Sequence, residues 1–372
     1  MRAPVAVNTV APLRLTTRRK VALGLGLALV GALVLAPAAL ADNATEGLGF
    51  EGRLPQGTGL NSTFVLIAAM LVMFMQAGFA ALEIGFVRAK NAGSVIAKIL
   101  TNFAICGIFY WAIGFAIAFS HGNPLVGLHG WFLAGAHVSA SFPLAYPNTR
   151  PGVTVETLAF FQFTFCAVAL AIVWGTTLER IKFGVYVIYA VIFSAFIYPI
   201  VSHWIFAGGW LAKSVHMQDF AGAVVVDVTG ATAALAVLLL LGPRKGKYGP
   251  GGTRRVIPGH SMPMFGIGIL ILWLGWFGFN PGSTLNALDG RFATVALITN
   301  LAGCGGVLAA LGTIWLRERT FDIGMAGNGA IAGLVAITGS AGYVSVWAAP
   351  LIGAVAGVIV VLAVLAIDRK ID

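Results

Sequence analysis

Asp219-Phe220-Ala221-Gly222-Ala223-Val224-Val225-Val226-Asp227-Val228-Thr229-Gly230 opens an apolar segment that runs to Leu241 and carries two carboxylates. A segment of this length is sufficient to cross a hydrocarbon layer of about 30 Å, which takes roughly 17–25 helical residues. An ionised Asp near the middle of a bilayer is costly, so it needs a partner, a proton or a water-filled path. Eight residues at the helical rise of about 1.5 Å put Asp227 roughly 12 Å deeper than Asp219. One carboxylate marks a mouth and the other the interior.

The remainder of the chain agrees with a membrane setting. Of 372 residues, 59% are hydrophobic and only 10% charged, and the mean hydropathy is +0.92; a soluble globule needs a more polar surface. Outward from 219–241, further apolar runs of spanning length lie at about 61–83, 94–119, 157–178, 183–207, 260–280, 291–315, 323–340 and 347–367. These long continuous runs lack the period-two alternation of a membrane barrel, so the fold class is an all-α polytopic membrane protein with nine spans in a lipid bilayer. Forty-eight glycines, grouped with Ala, Ser and Thr as in Gly303-Cys304-Gly305-Gly306, allow close helix approach. Cys106, Cys166 and Cys304 lie inside apolar runs at irregular spacing and read as small core residues rather than a metal or disulfide pattern.

Before the first span, Arg14, Arg18, Arg19 and Lys20 precede an apolar run from Val21 to Leu35 and then Pro37-Ala38-Ala39-Leu40-Ala41. This is a signal-peptide layout over residues 1–41, with an uncleaved signal anchor as the alternative. Removing it takes the net charge from +10 to +5, and no nucleic-acid partner is needed to explain the basicity. Residues 42–60 then form an external N-terminal segment and 61–372 the membrane domain.

Lys and Arg favour the cytoplasmic side. With the mature N-terminus outside, the inner connections hold Arg88, Lys90, Arg180, Lys182, Arg244, Lys245, Lys247, Arg254, Arg255, Arg317, Arg319, Arg369 and Lys370, whereas the outer ones hold only Arg53, Arg150, Lys213 and Arg291. That asymmetry sets an N-out, C-in topology in the inner (plasma) membrane. The outer segment from His121 to Glu156 is rich in Gly, Pro, Ser and Asn; its His121, His129 and His137 fit either a metal site or, as the better reading, an irregular surface loop.

There is no P-loop, nucleophile elbow or His-Glu-x-x-His zinc signature, so the sequence points away from an enzyme and implies no cofactor. The chemistry resides in embedded polar and aromatic residues: Glu83, Gln162, Tyr198, His203, Asp219, Asp227, Trp276, Asn280 and Ser283. They suit passage of a small polar or cationic solute, since each aromatic face attracts a cation by about 0.5–2 kcal/mol. Phe161 and Phe165 share a helical face, as do Phe279 and Ser283, each pair being four residues apart. With 25 Phe in the chain, plain packing competes with a gate at any one of them.

The runs Met75-Gln76-Ala77-Gly78-Phe79-Ala80-Ala81-Leu82-Glu83, Val87-Arg88-Ala89-Lys90-Asn91, Leu178-Glu179-Arg180-Ile181-Lys182-Phe183, Asp219-Phe220-Ala221-Gly222, Gly275-Trp276-Phe277-Gly278-Phe279-Asn280-Pro281-Gly282-Ser283 and Ala330-Ile331-Ala332-Gly333-Leu334-Val335-Ala336-Ile337-Thr338 occur in an order that resembles the ammonium transporter (Amt/Mep/Rh) family. The resemblance implies a homotrimer with one pore per subunit, each subunit built from two inverted five-helix halves and a last helix. It also implies recruitment of ammonium at the outer mouth, a paired phenylalanine gate, and passage of ammonia between two pore histidines. Carried over by motif, Phe165, Phe206, Ser283 and Asp219 form the recruitment site, Phe165 and Phe279 the gate, and Phe161, Gln162, Trp276 and Asp227 its surroundings. Asp219 is expected to organise backbone at a helix end, with a plain N-cap and a direct electrostatic role both open. A PII-type regulatory protein on the cytoplasmic face is a further partner that the resemblance implies.

Two departures stand out. Phe206 replaces the recruitment tryptophan, and a phenyl ring lacks the indole N–H. Asp227 replaces the first pore histidine; it is expected to hold a proton or attract a cation, the alternative being an Asp held by backbone and Thr229 with no role in transport. The sequence stops at Asp372, before the helix in which the family carries its second pore histidine, and none of the six histidines fills that place by motif. Nine of the family's eleven helices are therefore expected here, in a fragment of a longer protein or a defective copy. An ammonium sensor with little flux is the alternative function.

Overall fold

A computed structural model describes residues 56–134 and 152–367. The expected signal peptide, most of the N-terminal segment, His137, Arg150 and the last basic pair lie outside these residues. Among the described residues nine helical segments follow one another: α1 (Gln56–Phe86), α2 (Ala89–Phe119), α3 (Val155–Thr176), α4 (Phe183–Ser214), α5 (Ala223–Leu241), α6 (Met262–Gly282), α7 (Arg291–Glu318), α8 (Ile323–Thr338) and α9 (Ala348–Ile367). Eight are long and apolar enough to cross a membrane, and α8 at 16 residues is shorter. At about 1.5 Å per residue α8 covers roughly 24 Å. It is cut short by the Asp322 cap, whose carboxylate accepts from Met325 N–H at 2.7 Å, and by the turns that follow Thr338.

The first helix starts a few residues ahead of the apolar run at about 61. It begins at Gln56, because Thr58 and Asn61 are buried and the Asn61 side chain accepts from Ala287 N–H at 2.9 Å; the early polar residues face a neighbour instead of water. Two further helix starts follow the capping rule that a side-chain oxygen takes an orphan N–H: Thr154 for α3 and Ser261 for α6. Two helices are interrupted by wider π turns, at Tyr110–Gly114 and Phe193–Ile197, and α5 opens on a third, at Ala223–Val228.

Helix α1 lies along α6, the first helix of each half, and the pattern around them repeats: α1 meets α3 as α6 meets α8, and α2 meets α3 and α4 as α7 meets α8 and α9. The neighbour relations of the first helices are thus echoed in the later ones. The close seams depend on glycine. At Gly306 an added Cβ would strike the Gly329 carbonyl, and at Gly333 the Ala302 carbonyl, so α7 and α8 meet backbone to backbone, as expected where lipid supplies no hydrophobic drive between helices. Outward-facing Leu100, Leu240 and Leu308 are 67%, 87% and 71% exposed, a surface that only a hydrocarbon solvent makes stable.

At the end of the bundle where α1 passes into α2, a polar clamp ties α1, α2 and α3 together. Glu179 accepts from the Arg88 backbone N–H at 3.2 Å and from Arg88 Nε at 3.0 Å, pairs with Arg88 Nη2 at 3.0 Å, and also takes the Asn91 amide. Burial works against the Glu179 charge, but these hydrogen bonds and the guanidinium together hold its carboxyl below the usual range.

Candidate functional site

One end of the bundle is shaped by the start of α5. Gly222 has φ +116°, a backbone state that favours glycine, and it turns the chain so that four successive N–H groups converge on Asp219. The carboxylate accepts from Gly222 at 2.8 Å, Ala223 at 2.9 Å, Val224 at 2.7 Å and Val225 at 3.0 Å. Asp219 thus spends both oxygens on the helix end; of the alternatives in the sequence, the structural one matches this geometry. Its partner at the helix dipole is the positive end of α5, where an anion is favoured.

Beside this turn lies a cavity of ≈ 90 Å³ lined by Phe119, Leu158, Phe161, Gln162, Phe206, Phe220, Ser283 and Leu285. Ser283 donates its hydroxyl hydrogen to Phe279 C=O at 2.8 Å, which leaves the oxygen lone pairs as acceptors. Gln162 Oε1 is buried with no hydrogen-bond partner, a second acceptor in the same wall. Four phenyl rings and two leucines supply the rest, so the cavity suits a small cation that donates hydrogen bonds.

One helical turn beyond Phe161 on α3 and one turn before Ser283 on α6, Phe165 and Phe279 stack with centroids 4.1 Å apart and planes 12° from parallel. Both are fully buried. Phe161 meets Phe165 edge-on at 4.6 Å, and Trp276 lies 5.9 Å from Phe279 while donating its indole N–H to Thr338 Oγ1 at 2.8 Å. The expected recruitment residues therefore divide: Phe206 and Ser283 line the cavity, whereas Phe165 belongs to the stacked ring pair next to it.

Asp227 sits on the π turn that packs against α3, α4 and α8. Its N–H donates to Gly222 C=O at 3.1 Å, it is 7% exposed, and Oδ2 has no hydrogen-bond partner. Thr229 does not hold it, since that hydroxyl donates to Val224 C=O at 3.0 Å; a threonine two residues on points around the helix rather than back along it. Asp227 is left as a buried carboxylate with acceptor capacity to spare.

Several polar residues singled out in the sequence lie elsewhere. Glu83 is buried near Lys98 and Trp174, and His203 bridges the carbonyls of Ala118 and Asn123 at 3.0 and 2.9 Å. Asn280 donates to Thr299 at 3.1 Å, while Tyr198 packs on Tyr110 with centroids 6.1 Å apart. Conversely, Phe119, Leu158, Phe220 and Leu285 line the cavity without having been expected. Phe220 had a signal, since it directly follows Asp219 in the motif; the other three had none. Among the described residues no group of three or more His, Cys, Asp or Glu is placed to hold a metal.

With this geometry established, comparisons with known proteins bear on it. The Ammonium Transporter Family model matches residues 63–372. The chain is 44% identical over 341 residues to the ammonium transporter Amt2 of Archaeoglobus fulgidus, covering 89% of this chain and 69% of that protein. It is 33% identical over 310 residues to an ammonium transporter of Bacillus subtilis, covering 83% and 73%. Among solved structures, one titled Sensor Amt Protein aligns with a TM-score of 0.79 at 33% identity, covering 85% of this chain and 77% of that one, and Candida albicans Mep2 aligns with a TM-score of 0.74 at 29% identity, covering 87% and 70%.

Proposed function

Since the chain belongs to the ammonium transporter family, a family of transporters rather than enzymes, we propose that it moves ammonium across the membrane by capture in the phenyl-lined cavity and release past the Phe165–Phe279 plug. The observation that supports this reading is the Ser283 hydroxyl in the cavity wall, one helical turn from Phe279 of a fully buried, stacked ring pair. Ammonium gives up water on entry; the phenyl faces of Phe161 and Phe206 contribute about 0.5–2 kcal/mol each, and Ser283 and Gln162 accept its hydrogens. The plug excludes water and hydrated ions, so only a solute that sheds its shell passes when the rings move apart. Beyond it, the unpartnered oxygen of Asp227 offers a place for a cation or a proton where the family pattern has an imidazole.

The subunit works as one pore of a homotrimer, oriented with its N-terminus outside and its basic loops, including 242–261, on the cytoplasmic face, where a PII-type regulator would dock. A signal peptide over residues 1–41 and a transport domain from about 61 onward complete the proposal. Growth of an ammonium-uptake-deficient host on limiting ammonium tests it: the full chain, shown to be membrane-inserted, rescues growth, and absence of rescue sinks the transport reading. A sensing role with little flux is supported by the 33% identity to the sensor protein together with Asp227, and it predicts ammonium binding without rescue.

A further inference from the structure

Phe220 is a wall of the capture cavity that is fixed from behind by a charged residue. Arg291, at the start of α7, places its guanidinium carbon 5.3 Å from the Phe220 ring centroid and 6.0 Å from that of Tyr343. Its Nη2 donates to the Gly342 carbonyl at 2.6 Å. Phe220 and Tyr343 meet edge to face at 5.6 Å and 82°, and Phe220 N–H donates to Gly339 C=O at 2.9 Å. A side chain at Gly342 would collide with the Phe220 ring. The ring is therefore held by the loop between α8 and α9, through an arginine that is not itself among the residues lining the cavity.

We propose that Phe220 is an ammonium-recruiting aromatic beside Phe206, and that Arg291 is its positioning residue. This deepens the transport reading above and rests on it. Two effects of Arg291 oppose each other: its charge repels the captured cation, and its planar fork holds the ring. A like charge about 10 Å away through water changes affinity by only about twofold, and 0.15 M salt screens beyond about 8 Å. An aromatic face is worth roughly 2- to 30-fold. Positioning therefore outweighs repulsion, and losing Arg291 weakens capture. Lysine does not substitute, because an ammonium group has neither the flat face nor the forked donors.

Uptake of 15N-ammonium into liposomes carrying the full chain reads this directly. Phe220→Leu raises KM about 3- to 30-fold with the maximal rate within about twofold, and Phe220→Trp leaves KM at or below the starting value. Arg291→Gln and Arg291→Lys both raise KM about 2- to 5-fold, equally at high and low salt, and add nothing when built on Phe220→Leu. An unchanged KM in Phe220→Leu overturns the inference. So does a wild-type KM in Arg291→Lys beside an effect in Arg291→Gln that vanishes at high salt, since charge would then be the cause. Should Phe220→Leu fail to insert, Phe220→Trp and Arg291→Lys carry the same comparison. If the unaltered chain takes up no ammonium, the transport reading fails, and 15N-ammonium binding followed by NMR yields the same ratios or refutes them.

Discussion

Replacing Asp219 by Asn removes one carboxylate oxygen and the charge while leaving the shape of the side chain. The four N–H groups from Gly222 to Val225 are shared two to each oxygen, at 2.7–3.0 Å, so the amide can satisfy one pair and must present its own N–H donors to the other. Two charge-assisted bonds lost at about 1.5–3 kcal/mol each give about 3–6 kcal/mol, less whatever water restores at this mouth position. That is a large share of the roughly 5–15 kcal/mol by which domains are stable. Hydrogen exchange localises the effect: the amides of 222–225 in Asp219→Asn should exchange on the order of a hundredfold faster, since each factor of ten is about 1.4 kcal/mol, and the unfolding midpoint of the purified protein should fall with them. Unchanged exchange at these four amides would refute the assignment of Asp219 to the backbone, and would reopen a direct role at the ion.

Further outcomes follow from the same geometry. Phe279→Ala removes a fully buried stacked ring, which should cost about 3–5 kcal/mol and open the plug, so that stopped-flow osmotic assays on liposomes show new water permeability; an unaltered water flux would mean that the rings are not the barrier. Asp227→His exchanges the unpartnered carboxylate for an imidazole and should make passage ammonia-selective, so that potassium ceases to compete with ammonium; unchanged competition would show that Asp227 does not control the pore. Glu179, whose carboxyl in the folded protein is held below its usual value of 4.5, contributes stability that is present above pH 4.5 and lost as pH falls through the lower folded value. Thermal unfolding measured from pH 7 down to about 3 should show that acid limb in the unaltered protein, and Arg88→Gln should flatten it; identical profiles would remove the clamp from the account.

The helices were legible in the sequence because length and hydropathy alone define a span, and the positions of α2, α3, α6, α7 and α9 lie within a few residues of the apolar runs. The end of α1 that precedes residue 61 was not, since Thr58 and Asn61 look like exposed polar residues until a neighbour buries them. Of the site, Phe206, Phe161, Gln162 and Ser283 were recoverable through ordered motifs, and the Phe165–Phe279 pair likewise, although helical periodicity by itself could not tell a plug from packing. What a one-dimensional reading lacks is which face meets which: Glu83 looked as eligible as Ser283, yet it faces Lys98 and Trp174, and Arg291 looked like a topology marker until it was found against the back of Phe220. Asp219 was ambiguous for a different reason. An N-cap and an ion ligand need the same residue, and only the four converging N–H groups separate them.

The central claim is that ammonium crosses this chain through the cavity and the ring pair beneath it. The most direct measurement is 15N-ammonium uptake into liposomes containing the purified full chain, beside protein-free liposomes and a Ser283→Leu variant that fills the cavity and removes its acceptor. The account predicts saturable uptake in the unaltered chain, well above the protein-free level, and its loss in Ser283→Leu. Uptake no greater than in protein-free liposomes, or uptake indifferent to Ser283→Leu, would contradict it.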